Sequence, residues 1–366
     1  MNFAVIEYTT KTGAIWKPTP ERPNYLADPI KEIDPTSFAC YTTALNGEHI
    51  PLLGLILGPV NTRSTFLKFV YKVIKKLTGS WPQWYSLDYL KKFDVLLVVH
   101  QISNAHEMTA FLKRLKKKYP DKRILGVPTQ PFGILKEFWA KNSDGLAEMK
   151  RFMSFCDVFI TVVEKTLADW QALTSTKTVY LPQPYPVHYG TTFFLPLAKK
   201  EKTIFVAGVT DRPNIRKGQE VAVAVQKKFP DYTIEVTDIP GLKLDTSALE
   251  GSRFVIRPFQ EWREHLQYLN KVKLVINTDY TSTRGRVQVD CAAVGTVSIG
   301  ADSDGQTDLF PQYTSAPETS VNDLVEQATM LLQNDSLYIE ATTYATTELQ
   351  KYGYAKSAER LLNTHA

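Results

Sequence analysis

The sequence predicts an α/β protein of two doubly wound domains facing each other across a cleft, and three observations predict it. The chain has 366 residues, too long for one ordinary core and comfortable for two. Apolar strand-like runs alternate with amphipathic helical stretches, the rhythm of parallel sheets covered by helices on both faces. A proline-rich segment, Leu181-Pro-Gln-Pro-Tyr-Pro-Val187, breaks that rhythm once, and the rhythm then restarts. Prolines at this spacing forbid a helix and favour an extended connector.

The elements come in order. Residues 3–8 form a strand candidate. Asp94-Val-Leu-Leu-Val-Val-His100 is a stronger one, a continuous apolar run suited to a parallel strand buried on both faces. A helix is expected over about 104–118, a strand over 123–127 and a helix over 134–140. A strand over 158–163, a helix over 165–173 and a short strand over 179–181 complete the first domain, 1–190. The second, 191–335, opens with a strand over 203–207, a polar loop over 208–217 and a helix over 218–229. Strands over 232–236, 254–256, 274–277 and 296–299 come next, with helices over 261–270 and 287–294. Residues 336–366 read as helices that cross back to brace the first domain.

The bulk numbers narrow the function classes. The composition is globular, 43% hydrophobic and 22% charged. Cys40, Cys156 and Cys291 are far apart and odd in number, so neither a disulfide framework nor a zinc site is suggested. No stretch reaches the roughly 20 apolar residues of a membrane span, and the first residues lack a basic leader, so a cytoplasmic protein is expected. The net charge of +5 is uneven: 24 Lys/Arg against 16 Asp/Glu in residues 1–190, but 19 against 22 in the remainder. A basic first half suits an anionic partner there.

Two segments carry candidate chemistry. The first is Phe205-Val-Ala-Gly208-Val-Thr-Asp211-Arg212-Pro-Asn-Ile-Arg216-Lys217-Gly218. A strand ending in Gly, a basic loop and a helix start make an anion site. Gly208 lets the backbone approach, the helix offers free N–H groups, and Arg212 and Lys217 add charge. A diphosphate is the natural guest, and an ordinary βα-loop with solvated charges is the other reading. The second is Ser282-Thr-Arg284-Gly285-Arg286-Val-Gln-Val-Asp290-Cys-Ala-Ala293-Val-Gly295, continuing to Asp304-Gly305-Gln-Thr-Asp308. Arg284, Gly285 and Arg286 suit phosphate, Asp290 suits a ribose diol, and Gly305 with its neighbours suits a sugar. A well-packed βαβ unit with a solvent-facing Asp is the alternative.

Together these segments resemble the donor-binding half of retaining GT-B glycosyltransferases, the family 4-like group that includes phosphatidylinositol mannosyltransferases and sucrose synthases. Lys217-Gly218 is similar to the group's Lys-Gly. Asp290-Cys-Ala-Ala-Val-Gly295-Thr-Val resembles the second Glu of its Glu-x7-Glu segment and the Ala-x-Gly-x-Pro-Val-Ile stretch after it. Asp304-Gly305-Gln-Thr-Asp308 looks like its Gly-Gly-x-x-Glu stretch. Cys156 to Lys165 and Thr178 to Pro186 resemble, more faintly, its last first-domain strand and linker. The likeness runs in order over most of residues 90–335. The first Glu of the pair falls on Ser282 and the group's arginine position on Val209, with Arg212 substituting; its N-terminal glycine pair is absent, and Gly13 of Lys11-Thr12-Gly13 is the nearest candidate. The loop Val127 to Gln130 lacks the group's His, and His100 fills in.

The resemblance implies two Rossmann-like domains. It implies a hexosyl- or pentosyltransferase that takes a UDP- or GDP-type nucleotide sugar with retention. Arg212, Lys217 and His100 are then catalytic. Gly13, Gly208, Arg284, Gly285, Arg286, Asp290, Gly305 and Asp308 bind the donor. No metal or cofactor is implied. The acceptor is a lipid, a glycan, a small molecule or a modified nucleic-acid base. A nucleotide-sugar epimerase of the same fold and a non-catalytic glycan- or partner-binding relative stand as alternatives.

Weaker signals have two readings each. Within residues 64–84, Lys68, Lys72, Lys75 and Lys76 share one helical face and Leu67, Val70, Ile74 and Leu77 another, with Trp81 and Trp84 close behind. That is the pattern of an anionic membrane-surface contact, peripheral on an inner membrane face, or of a domain helix with solvated lysines. Asp302-Ser303-Asp304 has the form of a manganese motif but lies too late in the chain to count as one.

Overall fold

The computed structural model describes residues 2–7, 40–45, 47–51, 69, 72–73, 76, 87–207, 213–239, 243–283, 286–303 and 305–364. By their internal contacts, Met1–Pro184 with Tyr354–Ala366 make one unit and Tyr185–Gly353 another.

The first unit holds a parallel sheet of β1 (Phe3–Glu7), β2 (Glu48–Pro51), β3 (Val95–His100), β4 (Arg123–Pro128), β5 (Val158–Thr161) and β6 (Lys177–Tyr180). Their order is β2-β1-β3-β4-β5-β6. Side chains alternate between two cores. Ala4, Ile6, Leu96 and Val98 point to one face and Phe3, Val5, Val95, Leu97 and Val99 to the other. Helix Ala105–Lys118 covers the first face with Met108, Phe111, Leu112 and Leu115, an i, i+3, i+4, i+7 stripe. Helix Ser143–Ser154 adds Met149, Phe152 and Met153, and starts where the Asn142 side chain accepts from the Gly145 N–H at 3.0 Å. Each such side chain, fully buried, contributes about 1.5–3 kcal/mol. The other face receives Tyr41 and, from the end of the chain, Leu361. The closing helix Tyr354–Asn363 is anchored beside it: the Arg123 guanidinium donates to the Thr364 carbonyl at 3.1 Å.

The second unit holds β7 (Thr203–Ala207), β8 (Thr233–Asp238), β9 (Phe254–Pro258), β10 (Leu274–Asn277), β11 (Val297–Ala301) and β12 (Thr314–Ser315), all parallel, in the order β12-β11-β10-β7-β8-β9. Helix Asp335–Leu349 stays on this unit: the Tyr338 hydroxyl donates to the Lys273 carbonyl at 2.7 Å and the Thr346 hydroxyl to the Ala292 carbonyl at 3.0 Å.

The strands expected from apolar runs are found at their places. The short β2 and β12 and helix Ser143–Ser154 were not expected. The unit boundary falls at 184/185 rather than 190/191, because the Tyr185 ring packs edge-on to Trp262 and Val187 and Tyr189 are buried in the second unit. Of residues 336–366, only 354–366 join the first unit. The basic segment 64–84 lies largely outside the described residues; Phe69, Lys72, Val73 and Lys76 are helical and exposed.

Candidate functional site

In a doubly wound sheet the ligand crevice opens at the carboxyl ends of the two strands between which the chain changes direction. In the second sheet those strands are β7 and β10. β8 and β9 build outward on one side, and β10, β11 and β12 on the other.

Helix Pro213–Lys228 starts above the end of β7. Pro213 suits the first helical turn, where no N–H is needed. Arg216 and Lys217 come within the next residues, and the first turn holds no acidic residue. Cations at the positive end of a helix dipole are unfavourable, by about 0.3–1 kcal/mol each, unless an anion joins them. Arg216 pairs with Glu220 at 3.6 Å one turn on. Lys217 reaches across the sheet end. Its ammonium donates to the Pro317 carbonyl at 3.0 Å and to the Thr319 carbonyl, and lies 5.4 Å from the centre of the Tyr280 ring. Tyr280 shares a hydrogen bond of 2.8 Å with the Ser315 hydroxyl, and burial raises its phenol pKa.

Gly218 sets how close this helix comes. A Cβ there would sit 2.7 Å from Thr278 Oγ1, with Ile276 and Val206 at 3.5 Å. The helix therefore rests directly on the ends of β7 and β10, a packing only glycine allows. Thr278 is buried, and its hydroxyl has no hydrogen-bond partner among the described residues. The loop after β10 is held by its own acceptors: Asn277 takes the Asp279 N–H at 3.1 Å, and Asp279 takes the Thr281 N–H at 3.0 Å and its hydroxyl at 2.6 Å. Ser282 closes it at φ 56°, a strained value for a residue with a side chain. Behind the loop, Asn277 and Gln288 both donate to the Ser303 hydroxyl, at 3.2 and 2.7 Å, and so join the ends of β10 and β11 to helix Val287–Val294.

Several sequence-derived candidates stand elsewhere than expected. Asp290 is an interior carboxylate, 3% exposed, rather than the solvent-facing Asp of the alternative reading. Its Oδ1 accepts from the Tyr185 hydroxyl at 2.7 Å and from Trp262 Nε1 at 2.9 Å, because the first turn of helix Val287–Val294 faces the packed 185–190 segment. Burial and this carboxylate push the Tyr185 phenol well above its ordinary pKa. Arg286 lies 5.7 Å from the Tyr185 ring centre, in the same cluster. Gly305, at φ 79°, has the Tyr352 hydroxyl where a Cβ would be, and that hydroxyl donates to Asp308 at 3.0 Å. Asp308 therefore braces the segment before the last helix. Gly13, Gly208, Arg212, Arg284 and Gly285 lie outside the described residues.

In the first sheet the change of direction falls between β1 and β3. Glu7 and His100 end those strands, and both are buried. His100 is 2% exposed and sits 4.9 Å from the Phe152 ring centre. Neither ring nitrogen has a hydrogen-bond partner among the described residues. Burial lowers its pKa to about 4, so the imidazole is neutral at physiological pH.

Thr278, Tyr280, Ser303, Trp262 and Glu7 were not singled out from sequence. The signal available for Thr278 and Tyr280 was their place directly after an apolar strand. Nothing in the linear order pairs Tyr185 or Trp262 with Asp290. Among the described residues no helix is long and apolar enough to cross a membrane.

No family model matches the chain, and no curated protein matches it in sequence. Solved structures match it in shape. Sucrose-phosphate synthase of Thermosynechococcus elongatus superposes with a TM-score of 0.63 over 100% of this chain and 98% of its own, at 14% identity. A trehalose-6-phosphate structure from E. coli bound with UDP-2-fluoro glucose gives 0.62 over 100% and 98%, at 10% identity. The S. aureus MnaA–UDP structure gives 0.54 over 100% and 95%, at 12% identity. At these identities the likeness is one of fold: two parallel α/β units of the GT-B type.

Proposed function

We propose that the chain is a glycosyltransferase whose second unit binds a nucleoside-diphosphate sugar at the carboxyl ends of β7 and β10. The observation that carries this reading is Lys217, held among the described residues by carbonyls alone, near the start of a helix that Gly218 seats directly on those strand ends. Such a helix start is built for an anion, and a diphosphate matches it in charge and size. Two structures of the same fold hold UDP or a UDP-sugar, which supports this class of donor.

In this reading Lys217 leaves the Pro317 and Thr319 carbonyls for the diphosphate, and Arg212 joins it. Their charges stabilise the leaving phosphate as the glycosidic bond breaks. Retention of configuration, a hexosyl or pentosyl group, and a reaction without a metal rest on the family resemblance. His100, neutral and buried, would act on the acceptor side as a hydrogen-bond partner rather than as an acid. The basic first half favours an anionic or membrane-bound acceptor, met at a cytoplasmic membrane face through residues 64–84.

The test is a thermal-shift screen with UDP, GDP, ADP, CMP and their sugars on the wild type and Lys217→Ala. A ligand at a hundredfold its dissociation constant adds about 2.7 kcal/mol. A shift with one diphosphate, lost in Lys217→Ala, supports the reading. No shift with any of them overturns it.

A further inference from the structure

The second unit carries a cavity of about 290 Å³ that the donor site does not use. Its floor is the sheet face formed by Thr203 of β7 and Arg257 of β9, and its wall is one side of helix Trp262–Leu269, with Glu264, Gln267 and Tyr268. Glu201 and Lys271 close it just before β7 and β10 begin. It therefore runs along helix Trp262–Leu269, from Gln260 after the carboxyl end of β9 to Glu201 and Lys271 before β7 and β10, whereas the candidate donor crevice lies at the carboxyl ends of β7 and β10.

The sequence explains why this face is polar. β8 reads Thr-Ile-Glu-Val-Thr-Asp: Ile234 and Val236 are buried on one face, and Thr233, Glu235 and Thr237 are half-buried on the other. Phe205 pairs in register with Glu235, and its ring meets His265 and Tyr268, so helix Trp262–Leu269 covers this second face. Between β8 and β9 the described residues form only the short turn Ser247–Leu249. A central ion pair is built into the floor: Arg257 donates to Glu235 at 3.1 Å and stacks 4.1 Å from the centre of the Tyr268 ring. The inner nitrogen of Arg257 is buried with no hydrogen-bond partner among the described residues.

The charges of the lining select the guest. Arg257 and Lys271 stand against Glu201 and Glu264, with Glu235 already joined to Arg257. Lys271 lies 4.0 Å from Glu201. A free anion meets carboxylates there, and a free cation meets Arg257 and Lys271. Gln260 and Gln267 each add a donor and an acceptor, and Thr203 a hydroxyl. The volume is at the small end of ligand pockets, too small for a nucleotide sugar. We infer that this cavity is a binding site for one neutral, polyhydroxylated ring, a single sugar unit of a saccharide, separate from the donor crevice.

Saturation-transfer NMR on the full chain with D-glucose, D-mannose and N-acetyl-D-glucosamine tests this. The expected result is saturable binding of at least one sugar. It should weaken tenfold or more in Glu264→Gln and in Gln267→Ala, both exposed positions whose variants should melt as the wild type does. It should persist in Lys217→Ala. The diphosphate thermal shift, run on the same variants, should be unchanged, so a failed sugar site and a failed donor site give different results. No saturable binding of any of the three sugars overturns the inference. So does binding that both cavity variants leave intact, or displacement of the bound sugar by inorganic phosphate, which would mark an anion site.

Discussion

The two sheets change direction in the same way, yet the two crevices hold opposite chemistry. Between β7 and β10 the chain places cations near a helix start, a buried hydroxyl on Thr278 that has no partner among the described residues, and a strained Ser282. Between β1 and β3 it places a buried neutral imidazole, both nitrogens unpartnered among the described residues, beside a buried Glu7. A shared topology supplies two crevices, and the side chains at the strand ends decide what each can hold. In the proposed reading the second takes the anion, and the first meets a neutral hydrogen-bonding group.

The sharpest way to break this contrast is to show whether Asp290 serves the fold or the ligand site. Asp290→Ala leaves the Tyr185 hydroxyl and Trp262 Nε1 buried without their acceptor. A loss of about 3 kcal/mol is expected in urea unfolding. A variant as stable as the wild type, but unable to bind diphosphate, would return Asp290 to the donor site.

Acid should act next. Above pH 6.5 His100 is neutral both folded and unfolded, and it has no effect on stability. Below pH 6.5 the unfolded chain takes a proton that the folded one refuses until about pH 4, so stability falls with falling pH across that window. The loss is up to about 3 kcal/mol for a shift of this size. His265, also held at about 4 by burial and by the Arg257 charge, adds a similar loss in the second unit. His100→Phe should flatten the dependence in part, measured as melting temperature between pH 4 and 7. An unchanged slope would mean that His100 takes up a proton in the fold.

Gly218→Ala sharpens the other side. Its Cβ meets Thr278 Oγ1 at 2.7 Å, so the helix must lift from β10. About 1–3 kcal/mol of stability should be lost, with weaker diphosphate binding. An equal thermal shift with diphosphate in this variant would show that helix seating does not matter to the site. The smallest effect is expected far from both crevices. Lys92→Ala removes an exposed pair with Glu48 at 2.6 Å and should leave the midpoint of the same unfolding measurement nearly unchanged.

Much of the fold was legible in the sequence because buried parallel strands leave continuous apolar runs. Val95–His100 and Leu274–Asn277 could be placed without a structure. Helix Ser143–Ser154 was not legible, since it opens on Asn-Ser-Asp-Gly, which reads as a turn until Asn142 is seen capping it. β2 and β12 were missed because four and two residues carry no periodicity. For the site, Lys217 and Gly218 were found from a local pattern, yet the reason for Gly218 is its approach to Thr278, sixty residues away.

By itself, then, the sequence determined what is local: the strands and helices, the connector at 181–187, and a basic helix start after β7. Burial and side-chain pairing were left to the tertiary structure, because they depend on which elements meet. Asp290 became interior only when Tyr185 and Trp262 closed over it. His100 became a neutral base, without a partner among the described residues, only when Phe152 and its sheet removed it from water. Arg257, Glu235 and Tyr268 made a cavity floor only when two strands and a helix brought them together. No spacing along the chain encodes those contacts, since each joins groups from separate elements.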